Sequence, residues 1–151
     1  MKIFAINSEQ EMLRLGEQLG NRLQPGALLF LSGDLGAGKT VLSKGIAKGL
    51  GIGEEVTSPT FQLKKSYQGK YLFNHLDLYR LKNQAELDML EPEELTEGAV
   101  TVVEWGDLLM ARLRSDYLEI RIEFDEERQN SRRLIFIPHG RSFQSILEGL
   151  T

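Results

Sequence analysis

A short segment near the start of the chain carries the densest group of residues suited to binding an anion. Residues 33–40 read GDLGAGKT and match the phosphate-binding pattern GxxxxGK[ST]. Glycines let successive backbone N–H groups point at a phosphate without a Cβ atom in the way. Lys39 can neutralise β- and γ-phosphate oxygens, and the Thr40 hydroxyl can ligate Mg²⁺. We predict that a Mg²⁺–nucleoside triphosphate contacts Gly33, Gly36, Ala37, Gly38, Lys39, Thr40 and Val41.

Two acidic residues that follow predicted strands are candidates for the other half of a metal site. Glu104 comes directly after the apolar run 99–103, and Asp77 follows the less uniformly apolar run 72–76. A phosphate-binding loop needs an acidic group at the end of a neighbouring strand, to hold Mg²⁺ or to position water. We expect at least one of the two to serve the metal. His75 has no other nitrogen or sulfur ligand near it in sequence, so we expect it to be packed or exposed rather than a ligand.

The elements around these residues predict an α/β fold. The phosphate-binding loop lies between an apolar strand and a helix, as its mechanism requires, and a hairpin follows that helix. Strands are predicted at 2–6, 27–31, 61–67, 70–76, 99–103, 117–124 and 134–137, and helices at 8–24, 39–50, 85–90, 107–113 and 142–150. Ser8 and Glu11 have capping-box spacing, and Asp107 is predicted to cap its helix. We predict a P-loop NTPase fold with a mixed, mostly parallel sheet flanked by helices, as a single domain over residues 1–151.

The composition excludes several classes of protein. The 151 residues are 41% hydrophobic and 26% charged, and the absence of cysteine excludes disulfides and thiol catalysis. The net charge of −4 gives no bulk attraction to nucleic acid, so contact with RNA is expected only through a partner or a local patch. The longest apolar run, 27–31, is much shorter than a membrane span, and no signal peptide is visible. We expect a cytoplasmic protein without membrane contact.

A polar turn follows the helix of the phosphate-binding loop. Residues 58–60 read Ser-Pro-Thr, and many NTPases place a switch that senses the γ-phosphate at this point. The spacing alone fits a switch and a plain turn equally well. Thr60 is nevertheless a candidate catalytic residue, together with Asp77 and Glu104.

The main alternative function is an autonomous small-molecule kinase. No NKxD string for reading guanine is present, which argues against a regulatory GTPase. A kinase would need an arginine-rich lid, for which Arg128, Arg132 and Arg133 are available. These arginines lie beside two glutamates between predicted strands, which favours a solvated hairpin tip over a lid.

Four motifs together resemble the bacterial TsaE family, the ATPases of tRNA threonylcarbamoyladenosine biosynthesis. They are GDLGAGKT at 33–40, TSPTF at 57–61, HLDLYR at 75–80 and VEWG at 103–106. Many families share the first string, but the combination is much more specific. The order and spacing match over essentially the whole chain.

The resemblance implies a function and partners. It implies weak ATP hydrolysis by the isolated protein, docking onto the TsaB–TsaD complex, and hydrolysis that resets this complex between catalytic cycles. Contact with tRNA would then be indirect, through the complex. No motif reads adenine, and the helix start near Ser8 and the loop after Trp105 are the candidate regions.

The resemblance also implies roles for individual residues. Lys39 and Thr40 would hold phosphate and Mg²⁺, and Glu104 would be the other magnesium carboxylate. Thr60 and Asp77 fall at positions associated with the switch and with hydrolysis. The match does not settle which of Asp77 and Glu104 touches the metal and which orients water.

Overall fold

The computed structural model describes residues 1–34, 36–59, 63–81 and 84–151. Strands and helices alternate along most of this length, as an α/β fold requires. The strands are β1 Lys2–Ile6, β2 Leu28–Ser32, β3 Lys64–Gln68, β4 Leu72–Asp77, β5 Ala99–Glu104, β6 Tyr117–Phe124 and β7 Arg132–His139. The helices are α1 Glu9–Arg22, α2 Lys39–Gly49, α3 Gln84–Asp88, α4 Pro92–Thr96, α5 Asp107–Met110 and α6 Gln144–Glu148.

Within the described residues the strands form one seven-stranded sheet in the order β1-β7-β6-β2-β5-β4-β3. The central pairs β6–β2, β2–β5 and β5–β4 are parallel. The pairs β1–β7, β7–β6 and β4–β3 are antiparallel. Among these strands only β7 and β3 therefore run against the common direction. The predicted mixed, mostly parallel sheet is confirmed, as is the antiparallel hairpin after α2.

The two faces of the sheet are covered by two apolar clusters. The larger cluster joins α1 and α2 to one face, where Leu29 and Leu31 of β2 are almost completely buried. The smaller cluster covers part of the other face, where Phe30 of β2 and Val103 of β5 meet leucines from α3, α4 and α5. Because β2 and β5 are covered on both faces, their sequences are continuous apolar runs. No helix in the described ranges has the length and apolar character needed to cross a membrane.

Two glycines let α1 and α2 pack with their backbones almost in contact. A Cβ atom added to Gly20 would lie 2.2 Å from the carbonyl oxygen of Ile46, and one added to Gly45 would lie 2.5 Å from that of Leu13. Neither position can hold a side chain without separating the helices. This close packing fixes α2, and with it the end of α2 that follows the phosphate-binding loop.

The start of α1 agrees with the predicted cap. The Ser8 hydroxyl accepts a hydrogen bond from the Glu11 backbone N–H at 3.1 Å. The Glu11 carboxylate accepts one from the backbone N–H of Asn7 at 2.7 Å, one residue earlier than in the standard capping box. The cap therefore satisfies backbone N–H donors at the N-terminal end of α1.

Besides small shifts of element ends, and a predicted strand 61–67 whose first two residues lie outside the described residues, three details differ from the expectations. The short helix α4 was not predicted, although Pro92 at its first position suits a helix start. Strand β7 is longer at both ends than the predicted 134–137. The prediction that Asp107 caps a helix extending to residue 113 was wrong: Gly106 is the N-cap without a side-chain bond, Asp107 is the first helical residue, and α5 ends at Met110. The predicted cap residue therefore lies one position later in the chain than the actual N-cap.

Candidate nucleotide-binding site

A cavity of about 400 Å³ opens at the edge of the sheet where β2, β4 and β5 end. Because these strands are parallel, their carboxyl ends and the loops that follow meet at this edge. One end of the cavity, here called the phosphate end, is lined by Gly36, Ala37, Gly38, Lys39, Thr40, Val41, Asp77 and Glu104. The rest of the lining, here called the distal end, comes from β1, the start of α1 and the β6–β7 region, and consists of Ile6, Ser8, Glu9, Met12, Asn130 and Arg132. Ser58 and Trp105 complete the wall.

The backbone of the phosphate-binding loop has the conformation that its glycines predict. Gly33, Gly36 and Gly38 have φ angles of 151°, 81° and 117°, a region that side chains rarely allow. A Cβ atom on Gly33 would also lie 2.6 Å from the carbonyl oxygen of Ile122. Helix α2 begins directly after this loop, at Lys39. The loop therefore brings backbone N–H groups and the positive end of an eleven-residue helix to one place, which suits an anion.

The predicted phosphate contacts are not all equivalent. The residues from Gly36 to Val41 line the cavity. Gly33 does not belong to that wall, and its carbonyl oxygen instead accepts a hydrogen bond from the Lys39 ammonium at 2.5 Å. In this structure Gly33 therefore holds the lysine and shapes the start of the loop.

The Lys39 ammonium is buried between the loop and an aromatic ring. The side chain is only 6% exposed, and Nζ lies 4.0 Å from the centre of the Trp105 ring. Burial lowers the pKa of Lys39 from its ordinary value, and the charges of Glu104, Asp77 and Asp34 oppose that shift. A phosphate entering the cavity offers this partly desolvated cation a stronger acceptor than the Gly33 carbonyl.

Trp105 reaches this position through an unusual backbone conformation. Its φ angle of 58° lies in the left-handed region, which is rare for a bulky residue and costs about 1–3 kcal/mol. The ring also contacts Tyr79, with the ring centres 5.0 Å apart. The turn after Glu104 thus directs the indole back over the Lys39 ammonium, next to the cavity.

The two predicted carboxylates lie side by side at the end of neighbouring strands. Asp77 and Glu104 are register partners in the parallel pair β4–β5. Of these two strands only β5 neighbours β2, the strand before the loop, because β5 lies between β4 and β2. Both side chains nevertheless line the cavity and act electrostatically on Lys39. The structure therefore brings the lysine and both acidic candidates together.

The surroundings of the two carboxylates differ. Glu104 is buried, and its Oε2 lies 2.5 Å from Nε2 of the buried His75. Asp77 is half-buried. Its Oδ1 accepts a hydrogen bond from the Tyr79 backbone N–H at 3.0 Å, and its Oδ2 accepts one from the Ser58 hydroxyl at 3.4 Å. His75 is packed, which is one of the two environments expected from the sequence, and its contact with Glu104 was not predicted.

The polar groups at the phosphate end fit Mg²⁺. They are the Thr40 hydroxyl and the carboxylates of Asp77 and Glu104, and oxygen atoms are the ligands that Mg²⁺ prefers. Within the described parts of the chain, no group of three or more His, Cys, Asp or Glu side chains is placed to hold a metal alone. This arrangement is typical of a site in which Mg²⁺ binds to one or two protein groups together with substrate phosphates.

The candidate switch is described only in part. Thr60 lies outside the described residues, so its predicted role stays a prediction. Ser58, two positions earlier, lines the cavity and donates a hydrogen bond to Asp77. The turn at 58–59 thus reaches one of the candidate catalytic carboxylates.

Residues at the distal end come from three separate parts of the chain. Ile6 pairs with Arg132 in the β1–β7 register, which brings the start of the chain to a strand near its end. Arg132 is half-buried, and its Nε donates a hydrogen bond to the carbonyl oxygen of Ala37 at 3.1 Å. The interpretation of this arginine as part of a solvated hairpin tip was therefore wrong, whereas Arg133 is exposed and paired with Glu123. No local motif marked Arg132, because strand pairing alone brings it to the loop.

Of the two regions considered for adenine reading, the helix start near Ser8 lines the cavity, whereas the loop that follows Trp105, which lies within the described residues, contributes no residue to the wall. Ser8, at the start of α1, and Trp105, after β5, line its wall. Sequence reasoning missed Met12 and Asn130, which also line the cavity. For these two residues the only signal in the sequence was that Met12 lies one turn after the start of the predicted helix.

Fold and site together define a class of protein. A buried parallel strand leads into a glycine-rich loop and a helix, with a lysine at the helix start and acidic residues at the ends of the adjoining strands. These are the parts of a P-loop NTPase fold.

Comparisons with known proteins identify the family. The family model for the threonylcarbamoyl adenosine biosynthesis protein TsaE matches residues 6–134. The Mycobacterium bovis tRNA threonylcarbamoyladenosine biosynthesis protein TsaE is 42% identical over 124 residues, which cover 76% of this chain and 74% of the relative. The protein of the same name from Rickettsia felis is 33% identical over 147 residues, covering 96% of this chain and 84% of the relative. This chain belongs to the TsaE family.

A solved structure supports the same fold. The crystal structure of Bacillus subtilis YdiB superposes with a TM-score of 0.79 and 30% sequence identity. The match covers 97% of this chain and 91% of YdiB. The similarity therefore extends over nearly the whole fold.

Proposed function

We propose that this protein binds ATP with Mg²⁺ in the cavity and hydrolyses it in support of threonylcarbamoyladenosine modification of tRNA. The observation that carries this proposal is the buried Lys39 ammonium, which shares one cavity with the glycine-rich loop and the two carboxylates. We further propose that residues 1–151 act as one cytoplasmic ATPase domain on the TsaB–TsaD complex. Family membership supports the pathway, and the site supports the chemistry.

The phosphate end suits the triphosphate. Backbone N–H groups of residues 36–41 would surround the β-phosphate, helped by the positive end of α2. Lys39 would exchange its hydrogen bond with the Gly33 carbonyl for one with β- and γ-phosphate oxygens. The distal end is then left for the ribose and adenine, with the buried Met12 and Ile6 as apolar surface.

The two carboxylates are proposed to have different roles. Thr40 and Glu104 would hold Mg²⁺, which when bound neutralises charge that develops on the phosphate oxygens. Glu104 suits this task because it is buried, fixed by a short contact, and placed on the strand next to β2. Asp77 would position the attacking water, since it is more exposed and lies beside the turn at 58–59. Thr60 would complete the response to the γ-phosphate.

Hydrolysis is proposed to depend on partners. Within the described residues the carboxylate of the half-exposed Asp77 accepts hydrogen bonds only from the Tyr79 backbone and the Ser58 hydroxyl, so its orientation depends on the turn at 58–59. Docking of the TsaB–TsaD complex on this surface would fix the turn and complete the group that orients water. Contact with tRNA would remain indirect, in agreement with the net charge of −4.

The test is to measure phosphate release from ATP with and without purified TsaB and TsaD. We expect slow release by the protein alone and faster release with both partners, with no activity for Lys39→Ala in either condition. Nucleotide binding without phosphate release, even with both partners present, would instead indicate a non-hydrolysing scaffold.

An autonomous kinase is the competing function, and Arg132 is the observation in its favour because it lines the cavity. Arg132 is, however, a residue of strand β7, and its hydrogen bond to the Ala37 carbonyl holds it to the phosphate-binding loop. It therefore does not belong to a closing lid. Efficient formation of a phosphorylated metabolite by the isolated protein would favour the kinase. We expect ADP and inorganic phosphate as the products instead.

A further inference from the structure

A buried histidine contacts the carboxylate that is proposed to hold Mg²⁺. His75 lies in β4, two residues before Asp77, and its side chain is completely buried. Its Nε2 atom is 2.5 Å from Oε2 of Glu104 in the neighbouring strand β5. The imidazole also stacks on Phe73, with ring centres 6.2 Å apart and the planes inclined by 21°. Phe73 therefore packs against the face of the imidazole ring, and Glu104 contacts the ring at Nε2.

The chemistry of the pair fixes the direction of the hydrogen bond. A carboxylate that holds Mg²⁺ is ionised and only accepts hydrogen bonds, so in that role the proton between the two residues must belong to Nε2 of His75. The other ring nitrogen, Nδ1, is buried without a hydrogen-bond partner among the described residues. A proton on Nδ1 would have no acceptor there, which favours the Nε2–H tautomer.

We propose that His75 is a positioning residue that orients the Glu104 carboxylate for Mg²⁺. Its Nε2–H holds Oε2, which leaves Oε1 as the oxygen for a ligand in the cavity. A glutamate side chain has three rotatable bonds, so an oriented carboxylate avoids an entropy cost when the metal binds. The inference rests on the proposed function, because it assumes that Glu104 serves Mg²⁺.

The second histidine provides an internal contrast. His139 lies 3.4 Å from Glu119, but its side chain is 40% exposed and neither residue lines the cavity. His139 stacks on Tyr117 at a ring-centre distance of 4.2 Å. One His–Glu pair thus includes the candidate magnesium ligand Glu104, and the other lies away from the cavity.

The experiment compares two amide substitutions of the same residue. The side-chain nitrogen of His75→Gln can occupy the place of Nε2 and donate to Glu104, whereas that of His75→Asn occupies the place of Nδ1 and points away from it. Nucleotide binding is followed by the fluorescence of Trp105, the single tryptophan, at increasing Mg²⁺ and in EDTA. We expect His75→Asn to raise the Mg²⁺ concentration for half-maximal ATP binding about 10- to 100-fold. His75→Gln and the control His139→Gln are expected to stay close to the wild type.

A role through Glu104 makes a second prediction that a purely structural role does not. In a Glu104→Gln background, adding His75→Asn should not raise the Mg²⁺ requirement further, because the group being oriented has already been lost. Affinity for ATP in EDTA should be equal in the wild type and the two His75 variants, because the charge of Glu104 is the same in all three. Equal Mg²⁺ dependence of folded His75→Asn and wild type would overturn the inference, and so would an additive effect in the double variant.

A measurement on the unmodified protein covers the case in which His75→Asn does not fold. ¹⁵N NMR of histidine-labelled protein reports which ring nitrogen carries the proton, and His139→Gln assigns the two histidines. We expect His75 to be protonated at Nε2 with and without Mg²⁺–ADP. A proton on Nδ1 alone would overturn the inference. A wild type that binds no Mg²⁺–ATP would overturn the proposed function and this inference with it, whereas normal wild-type binding with an unaffected His75→Asn would overturn the inference only.

Discussion

The two ends of the cavity are built from different kinds of structure. The phosphate end belongs to the parallel centre of the sheet, where β2 and β5 are covered on both faces and Glu104 is buried. The distal end belongs to the antiparallel margin, where β1 pairs with β7 and a loop joins β6 to β7. Ser8, Glu9 and Asn130 are exposed there.

The difference indicates how each end contributes to binding. Buried charges interact strongly and are held by their surroundings, so each group at the phosphate end should have a large effect. Exposed polar groups at the distal end compete with water, so each should contribute less. If the two ends differ in this way, substitutions at the phosphate end should reduce binding or turnover more than substitutions at the distal end.

The largest effect is expected for Lys39. We expect Lys39→Ala, and likewise Thr40→Ala, to lower kcat/KM for ATP about 100-fold or more, since each removes a group that stabilises phosphate charge. The test is the rate of phosphate release from ATP, measured over a range of ATP concentrations with TsaB and TsaD present. Lys44→Ala is the matched control, because Lys44 is an exposed lysine on the same helix. Wild-type nucleotide affinity in a folded Lys39→Ala variant would contradict the proposed site.

Glu104→Gln should raise the Mg²⁺ requirement for ATP binding. A group that holds the metal contributes in the ground state as well as in the transition state, so its loss weakens binding itself. We expect a shift of about 10- to 100-fold in the Mg²⁺ concentration for half-maximal binding. The measurement is a Mg²⁺ titration at fixed ATP, with affinity in EDTA as the reference.

Asp77→Asn should have the opposite profile. A group that positions water acts mainly in the transition state, so ATP binding should be nearly unchanged while kcat with TsaB and TsaD falls about 100-fold. Single-turnover hydrolysis and equilibrium binding of the same variant separate the two quantities. If Asp77→Asn loses Mg²⁺–ATP affinity and Glu104→Gln keeps it, the two roles must be exchanged. If neither changes binding or turnover, both residues are only strand ends.

The smallest effect is expected at the distal end. Arg132→Ala removes the hydrogen bond to the Ala37 carbonyl, worth about 1 kcal/mol, and should weaken ATP binding about fivefold. Arg133→Ala, at the exposed neighbouring position, is the control and should leave binding unchanged. Isothermal titration with ATP measures both. A loss for Arg132→Ala as large as that for Lys39→Ala would show that the two ends do not differ in the way proposed here.

The sequence by itself determined the phosphate end. The motif at 33–40 is contiguous, and its glycines, lysine and threonine dictate a local conformation that needs no distant partner. Asp77 and Glu104 were also predictable, because each directly follows an apolar strand and parallel strands end at one edge. Hairpin β3–β4 and strand β6 were predictable from local turn and alternation patterns. For Thr60, which lies outside the described residues, the sequence still provides only a prediction.

Tertiary structure alone decided the strand order and the contacts that depend on it. Placing β5 between β2 and β4 made Glu104 rather than Asp77 the carboxylate next to the loop strand. The same β4–β5 pairing brought His75 to Glu104, and the β1–β7 pairing brought Arg132 to the loop. Such contacts join residues far apart in the chain, and their energy comes from burial and pairing across the whole sheet. No local pattern of residue types encodes that energy, which is why these contacts appear only once the sheet is assembled.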